Sequence, residues 1–250
     1  MSIWVTGDIH GNPVRLSSES FPEQREMTKD DYVIILGDFG LIWDQNESPS
    51  ENYWLNWLEN KPWTTLFVCG NHENFDRLYK YPVKEFCGGT VHEIRPTVLH
   101  LMRGNVFNLQ GKKIFAFGGA RSHDISDGIL DPVKDKEKIK KWNKDYFKLF
   151  RVNGVSWWEQ EMPNEKEMLL GKYNLENINW EVDFILSHDC PSSVQALIYG
   201  RNCELNELNQ YLEDVRQKCN YTRWLFGHHH INKQINEKDI VLYEQIIRIA

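Results

Sequence analysis

The chain has 250 residues, of which 41% are hydrophobic and 26% charged, with a formal net charge of −7. That length suits one large α/β domain with a well-buried core, and that composition excludes a disordered or fibrous chain. The acidic balance argues against broad nucleic-acid binding over the whole surface, although a local basic patch is still compatible with it.

Taken in order, Ile3 to Val5 is a short apolar run that reads as a buried strand, and it ends in Gly7-Asp8-Ile9-His10-Gly11. In extended backbone, residues i and i+2 share a face, so Asp8 and His10 can aim an oxygen and a nitrogen at one point. Such a pair is half a site for a first-row transition metal; alone, it is as well explained by a turn with a capping carboxylate. Val14 to Met27 is predicted as a helix with a loop near Phe21-Pro22. Val33 to Leu36 is a second apolar strand and runs into Gly37-Asp38. Leu41 to Ser50 reads as a loop. Glu51 to Asn60 is predicted as a helix, with Trp54, Trp57 and Leu58 as a packing stripe or a wall for a base or sugar.

Leu66 to Cys69 is a third strand and delivers Gly70-Asn71-His72-Glu73. Val91 to Phe117 reads as a run of short strands, within which His92 and His100 have no companions and are expected to be structural. Ile114 to Phe117 leads into Gly118-Gly119-Ala120-Arg121-Ser122. Arg121 suits bidentate contact with a substrate phosphate, or is a surface residue in a turn. His123 is either a rim contact or a surface residue, and Asp124 and Asp127 read as loop carboxylates.

Residues 124–177 read as a charged, helical, cap-like insertion. Within it, Asp131 to Arg151 carries seven Lys, with Ile139, Trp142, Tyr146 and Phe150 at helical spacing. This predicts an amphipathic helix with a solvated face, or more sharply a basic cap that steers an anionic substrate. Of the adjacent Trp157 and Trp158, one is expected in the core and one near the site. An acidic helix is predicted from Pro163 to about Leu175. Phe184 to Ser187 is a fourth strand, ending in His188-Asp189, with Asp189 expected to support His188. Glu204 to Cys219 is predicted as a helix with Leu205, Leu208, Leu212 and Val215 on one face. Trp224 to Phe226 is a fifth strand, ending in Gly227-His228-His229-His230, where His228 and His230 share a face and His229 points away, either exposed or supporting the site from behind. Ile231 to Ile249 is expected to add two or three short strands that close a second sheet.

Five apolar strands thus deliver metal-type side chains to their C-terminal ends, where open α/β sheets bind ligands. The spacings, 30 residues from Asp8 to Asp38 and 33 from Asp38 to Asn71, suit βαβ units. The ordered blocks Asp-x-His, Gly-Asp, Gly-Asn-His-Glu, a later His and Gly-His-x-His resemble the calcineurin-like metallophosphoesterases from Gly7 to His230. The most specific block is Gly-Asn-His-Glu.

The resemblance implies a four-layer α/β/β/α sandwich of two mixed sheets flanked by helices, as one domain. It implies hydrolysis of a phosphate ester by a hydroxide bridging two divalent metals. It maps Asp8, His10, Asp38 and His230 to one metal, and Asp38, Asn71, His188 and His228 to the other. Oxygen and nitrogen ligands without thiolate suit Mn, Fe, Zn or Ni. His72 is then expected to donate to a phosphate oxygen or to the leaving alkoxide, oriented by Glu73 or another carboxylate. Asn12 stands where the family often has an Asp and is expected to support the ligands. The substrate is expected to be a small phosphorylated or nucleotide-type molecule, a monoester or a diester. The alternative is a catalytically silent scaffold of the same fold. The five scattered Cys without a C-x-x-C pair, with no basic leader and no long apolar stretch, predict a cytoplasmic protein away from the membrane.

Overall fold

The computed structural model describes residues 1–200 and 205–250. Its strands are β1 (Ile3–Thr6), β2 (Tyr32–Ile35), β3 (Thr64–Phe67), β4 (Val83–Phe86), β5 (Gly89–Arg95), β6 (Val98–Leu101), β7 (Asn105–Leu109), β8 (Lys112–Phe117), β9 (Gly128–Leu130), β10 (Phe150–Val152), β11 (Phe184–Ser187), β12 (Arg223–Phe226), β13 (Lys233–Gln234), β14 (Asp239–Val241) and β15 (Ile246–Arg248). The helices are α1 (Pro49–Glu59), α2 (Phe75–Leu78), α3 (Lys136–Trp142), α4 (Glu165–Glu176), α5 (Ser192–Tyr199) and α6 (Glu207–Lys218).

Two mixed sheets form. One has the order β15-β1-β2-β3-β6-β5-β4 and the other β13-β14-β12-β11-β8-β7. Strands β1, β2, β3 and β6 run parallel in the first, and β8, β11, β12 and β14 in the second. Parallel strands covered on both faces are apolar throughout, and their alternation sorts side chains into layers. Val33, Ile35 and Phe67 face α1, where they meet Leu55 and Leu58. Ile34, Leu36 and Leu66 face the other sheet and pack with Ile114, Leu186 and Leu225. Phe115, Ile185 and Trp224 face the far side, against Leu208, Leu212 and Val215 of α6. These three cores alternate with helix, sheet, sheet and helix layers.

Three stretches depart from the sequence reading. Val14 to Met27 is not one helix but two short 3-10 turns, Pro13–Leu16 and Pro22–Glu26. A residue before proline is pushed out of the helical region, and Phe21 accordingly has φ −132 and ψ 73. The Lys-rich segment is helical only over α3; the Asp145 side chain then accepts from the Phe147 N–H and turns the chain, and Phe150–Val152 is extended against β9. The tail splits between sheets: β13 and β14 extend the second, but β15 pairs antiparallel with β1 in the first. The helix expected from Glu204 begins at Glu207, with Glu204 and Cys203 outside the described residues. No helix among the described residues is long and apolar enough to cross a membrane.

Candidate metal centre

The parallel strands of both sheets end at one rim. The turn after β1 carries Asp8 and His10, the turn after β2 carries Asp38, and the turn after β3 carries Asn71 and His72. From the second sheet, β11 leads to His188 and β12 to His228 and His230. The side chains converge in two groups that share Asp38. Asp8, His10, Asp38 and His230 have ligand-type atoms within 4.8 Å of one another, as do Asp38, His188 and His228. Asn71 lies beside the second group, since the adjacent His72 N–H donates to Asp38 Oδ1 at 2.8 Å.

A cation is what this arrangement fits. Asp8 and Asp38 are 0% and 1% exposed, so two carboxylates are held out of water within one pocket. The Nε2 atoms of His10 and His230 face each other at 2.9 Å, and His230 Nε2 lies 3.3 Å from Asp8 Oδ2. His188 donates from Nδ1 to the Leu36 carbonyl at 2.7 Å, which leaves its Nε2 aimed inward. That Nε2 sits 3.2 Å from Asp38 Oδ1 but is misaligned for a hydrogen bond. Asn71 Oδ1, His188 Nε2 and His228 Nε2 are all buried without a hydrogen-bond partner. Three orphaned donor atoms around one carboxylate are the set a second cation would satisfy.

The backbone is bent to achieve this. His10, Asp38, His228 and His230 all have positive φ, between 43° and 65°, which side-chain-bearing residues seldom adopt. Gly70 lets the third strand pass so close that a Cβ there would collide with the Asp38 carboxylate. A Cβ at Gly227 would collide with Asp8 in the same way. Protonation follows the crowding. Burial alone would raise the Asp38 carboxyl, but the His188 imidazole beside it holds it far below the usual carboxylate range. Burial likewise opposes the charged form of His188, and Asp38 and Asp8 override it, lifting the imidazole to about 10.

The surroundings differ from expectation in several ways. Glu73 does not reach His72: its carboxylate accepts from the backbone N–H groups of Phe39, Gly40 and Gly70 and ties the second and third turns together. Burial and the nearby Asp38 push that carboxyl up to about 8. His72 is instead held by Arg151, whose Nη2 lies 3.0 Å from its Nε2, and by Trp43, whose ring stacks on it at 5.3 Å between centroids. Burial, opposed by Asp38 and reinforced by Arg151, lowers the His72 imidazole to about 4. Arg151 falls at the end of the span predicted as a helix, and its cue in the sequence is its place between the Lys-rich stretch and Trp157-Trp158.

Of that tryptophan pair, Trp158 is buried and meets Trp43 edge-on, while Trp157 is half-buried. His229 is buried rather than exposed: its ring meets Tyr199 OH at 3.0 Å, Cys190 Sγ at 3.3 Å and Asp189 Oδ1 at 3.5 Å. Asp189 therefore serves His229 and not His188. Asn12 caps the first 3-10 turn by accepting from Val14 N–H. Arg121 is exposed and lines, with Ser122 and His123, a cavity of about 330 Å³. That cavity borders the centre, since Ser122 Oγ is 3.4 Å from Asn71 Nδ2 and the His123 ring stacks on His228 at 4.6 Å.

The sequence profile of the calcineurin-like phosphoesterases matches residues 1–232, a span that contains every residue of both groups. No curated protein matches the chain.

Proposed function

Because this chain belongs to the calcineurin-like phosphoesterase family, we propose that it hydrolyses a phosphate ester with the help of two divalent cations, one held by Asp8, His10, Asp38 and His230 and the other by Asp38, Asn71, His188 and His228. The observation that carries this reading is the convergence of buried, unpartnered donor atoms from both sheets on one shared carboxylate. Asp38 belongs to both groups, and its negative charge would help to hold two cations close together. When bound, such cations supply positive charge that polarises the phosphoryl group and makes a water molecule more acidic.

The remaining work falls to the protein. Trp43 and the backbone bond to Asp38 fix His72 beside the ligands. A guanidinium has no lone pair to offer, so His72 Nε2 accepts from Arg151, and the proton of the neutral ring sits on Nδ1. His72 then donates to a phosphoryl or leaving oxygen from a ring held in place. No cysteine belongs to either group, which favours Mn, Fe, Zn or Ni bound through oxygen and nitrogen. Arg121 and His123, on the neighbouring cavity wall, are proposed to contact the part of the substrate beyond the phosphate.

The test is metal content together with turnover. Protein loaded separately with each metal is offered p-nitrophenyl phosphate, bis(p-nitrophenyl) phosphate and dinucleotides. About two metals per chain and cleavage of at least one ester are expected; a chain that takes up no metal and cleaves none refutes the reading.

A further inference from the structure

We infer that Arg151 is a phosphate clamp that makes this centre select monoesters, whose phosphate carries two negative charges, over diesters, which carry one; this rests on the phosphoesterase reading above. Arg151 comes from β10, where it stands opposite Ile129 of β9, and it is only 7% exposed. Three anchors fix its guanidinium. Nε donates to Asp124 Oδ1 at 2.6 Å, Nη1 to the Ser156 carbonyl at 3.1 Å, and Nη2 to His72 Nε2 at 3.0 Å.

A guanidinium has five N–H donors, so these contacts leave one on each terminal nitrogen. Those donors belong to a planar group whose orientation is already set, next to the histidine that borders the ligands. The His72 ring lies 4.9 Å from the His10 ring, so the clamp stands at the edge of the centre. Guanidinium N–H groups match phosphoryl oxygens in spacing as well as charge.

The selectivity follows from charge. At neutral pH a monoester brings a second negative charge that a diester has replaced with an ester oxygen. A fixed, partly desolvated cation attracts the doubly charged group more, because Coulomb energy scales with the charge product. The cations proposed above and His72 serve both ester types; Arg151 adds its charge where only the monoester has the extra anionic oxygen. Asp124 has the supporting role. Its carboxylate aims Nε and so fixes the plane of the fork, which makes it a positioning residue.

The experiment uses the full, metal-loaded chain with Arg151→Ala, Arg151→Lys and Asp124→Asn. Calorimetry measures the Kd of inorganic phosphate, and steady-state assays compare p-nitrophenyl phosphate with its bis ester. Arg151→Ala is expected to weaken phosphate binding and lower monoester kcat/KM by on the order of 10²-fold. The diester should lose at least ~10-fold less than the monoester, because only one charge product is removed. Metal content should be unchanged, and added guanidinium should restore part of the monoester rate. Arg151→Lys keeps the charge on a flexible stem and should fall between wild type and Ala, which supplies an answer if the Ala variant does not fold. Equal losses on both esters, or unchanged phosphate affinity, overturn the clamp while leaving phosphoester hydrolysis intact. A wild-type chain that binds no metal and cleaves neither ester overturns the reaction and the clamp together.

Discussion

Asp38 is the residue on which both ligand groups meet, and its surroundings are built to keep it ionised. The backbone N–H of His72 donates to it, His188 stands 3.2 Å away, and Gly70, having no side chain, leaves room for it. Asp38→Asn keeps the volume and removes the charge. Metal content measured by mass spectrometry is expected to fall below about one per chain, with turnover down by at least ~10²-fold, since even supporting residues around a metal cost 10- to 100-fold. His72→Ala is expected to behave differently. It should keep both metals and lose at least ~10²-fold in kcat, because in the proposed mechanism His72 is a donor to the reacting oxygens and not a ligand. Wild-type turnover, or loss of metal, contradicts that role. The residue types of this centre were legible because strand ends deliver them in a fixed order. The partner of His72 was not: Glu73 is its neighbour in sequence, but its carboxylate is consumed by three backbone donors, whereas Arg151 arrives from 79 residues away. Only tertiary contact reveals that exchange.

At the level of strands and helices, apolar runs with turn signals marked the parallel strands, and α1, α4 and α6 lie close to their predicted spans. Failures fell where side chains bond locally to backbone or where pairing is long-range. The Asp145 turn cut the Lys-rich helix short, and the last strand crossed to the first sheet. His92 and His100 are a case of pairing invisible from one strand. They stand opposite each other in β5 and β6, with their Nδ1 atoms 3.0 Å apart and their rings stacked. Each is thus the companion that the sequence reading missed. Burial lowers the imidazole of His92; in His100 burial, then His92 and Arg103, lowers it well below the ordinary value.

A histidine held neutral on folding binds more protons when unfolded. Stability therefore falls as pH drops below about 6.5, down to the depressed folded value, and is unaffected above that range. The slope is about 1.4 kcal/mol per pH unit for each proton taken up on unfolding. His92→Leu/His100→Leu should accordingly show a shallower loss of Tm than wild type between pH 7 and pH 5. A slope as steep as wild type would mean that the pair is protonated in the folded chain.

Across the whole molecule, the centre lies where the two sheets meet, and its side chains come from both. Asp8, His10, Asp38 and Asn71 belong to the first sheet; His188, His228 and His230 belong to the second. Bound cations would therefore act as cross-links between layers otherwise held by apolar packing and by the β15–β1 return. The metal-free chain must keep Asp8 and Asp38 buried together, with orphaned atoms on Asn71, His188 and His228, and four residues at positive φ. A ligand that binds only the folded state at a hundred times its Kd adds about 2.7 kcal/mol. For a chain of this size each kcal/mol moves Tm by roughly 2–4 °C, so removing two such cations by chelation should lower Tm by roughly 10–20 °C. The drop should be reversed by adding back metal and should be absent in Asp38→Asn, which starts near the chelated value. Hydrogen exchange should quicken most at the ends of β1, β2, β11 and β12, because those turns lose their common anchor while the strands keep their apolar packing. A chelated protein that melts with the wild-type Tm would mean that the two sheets are joined without the cations.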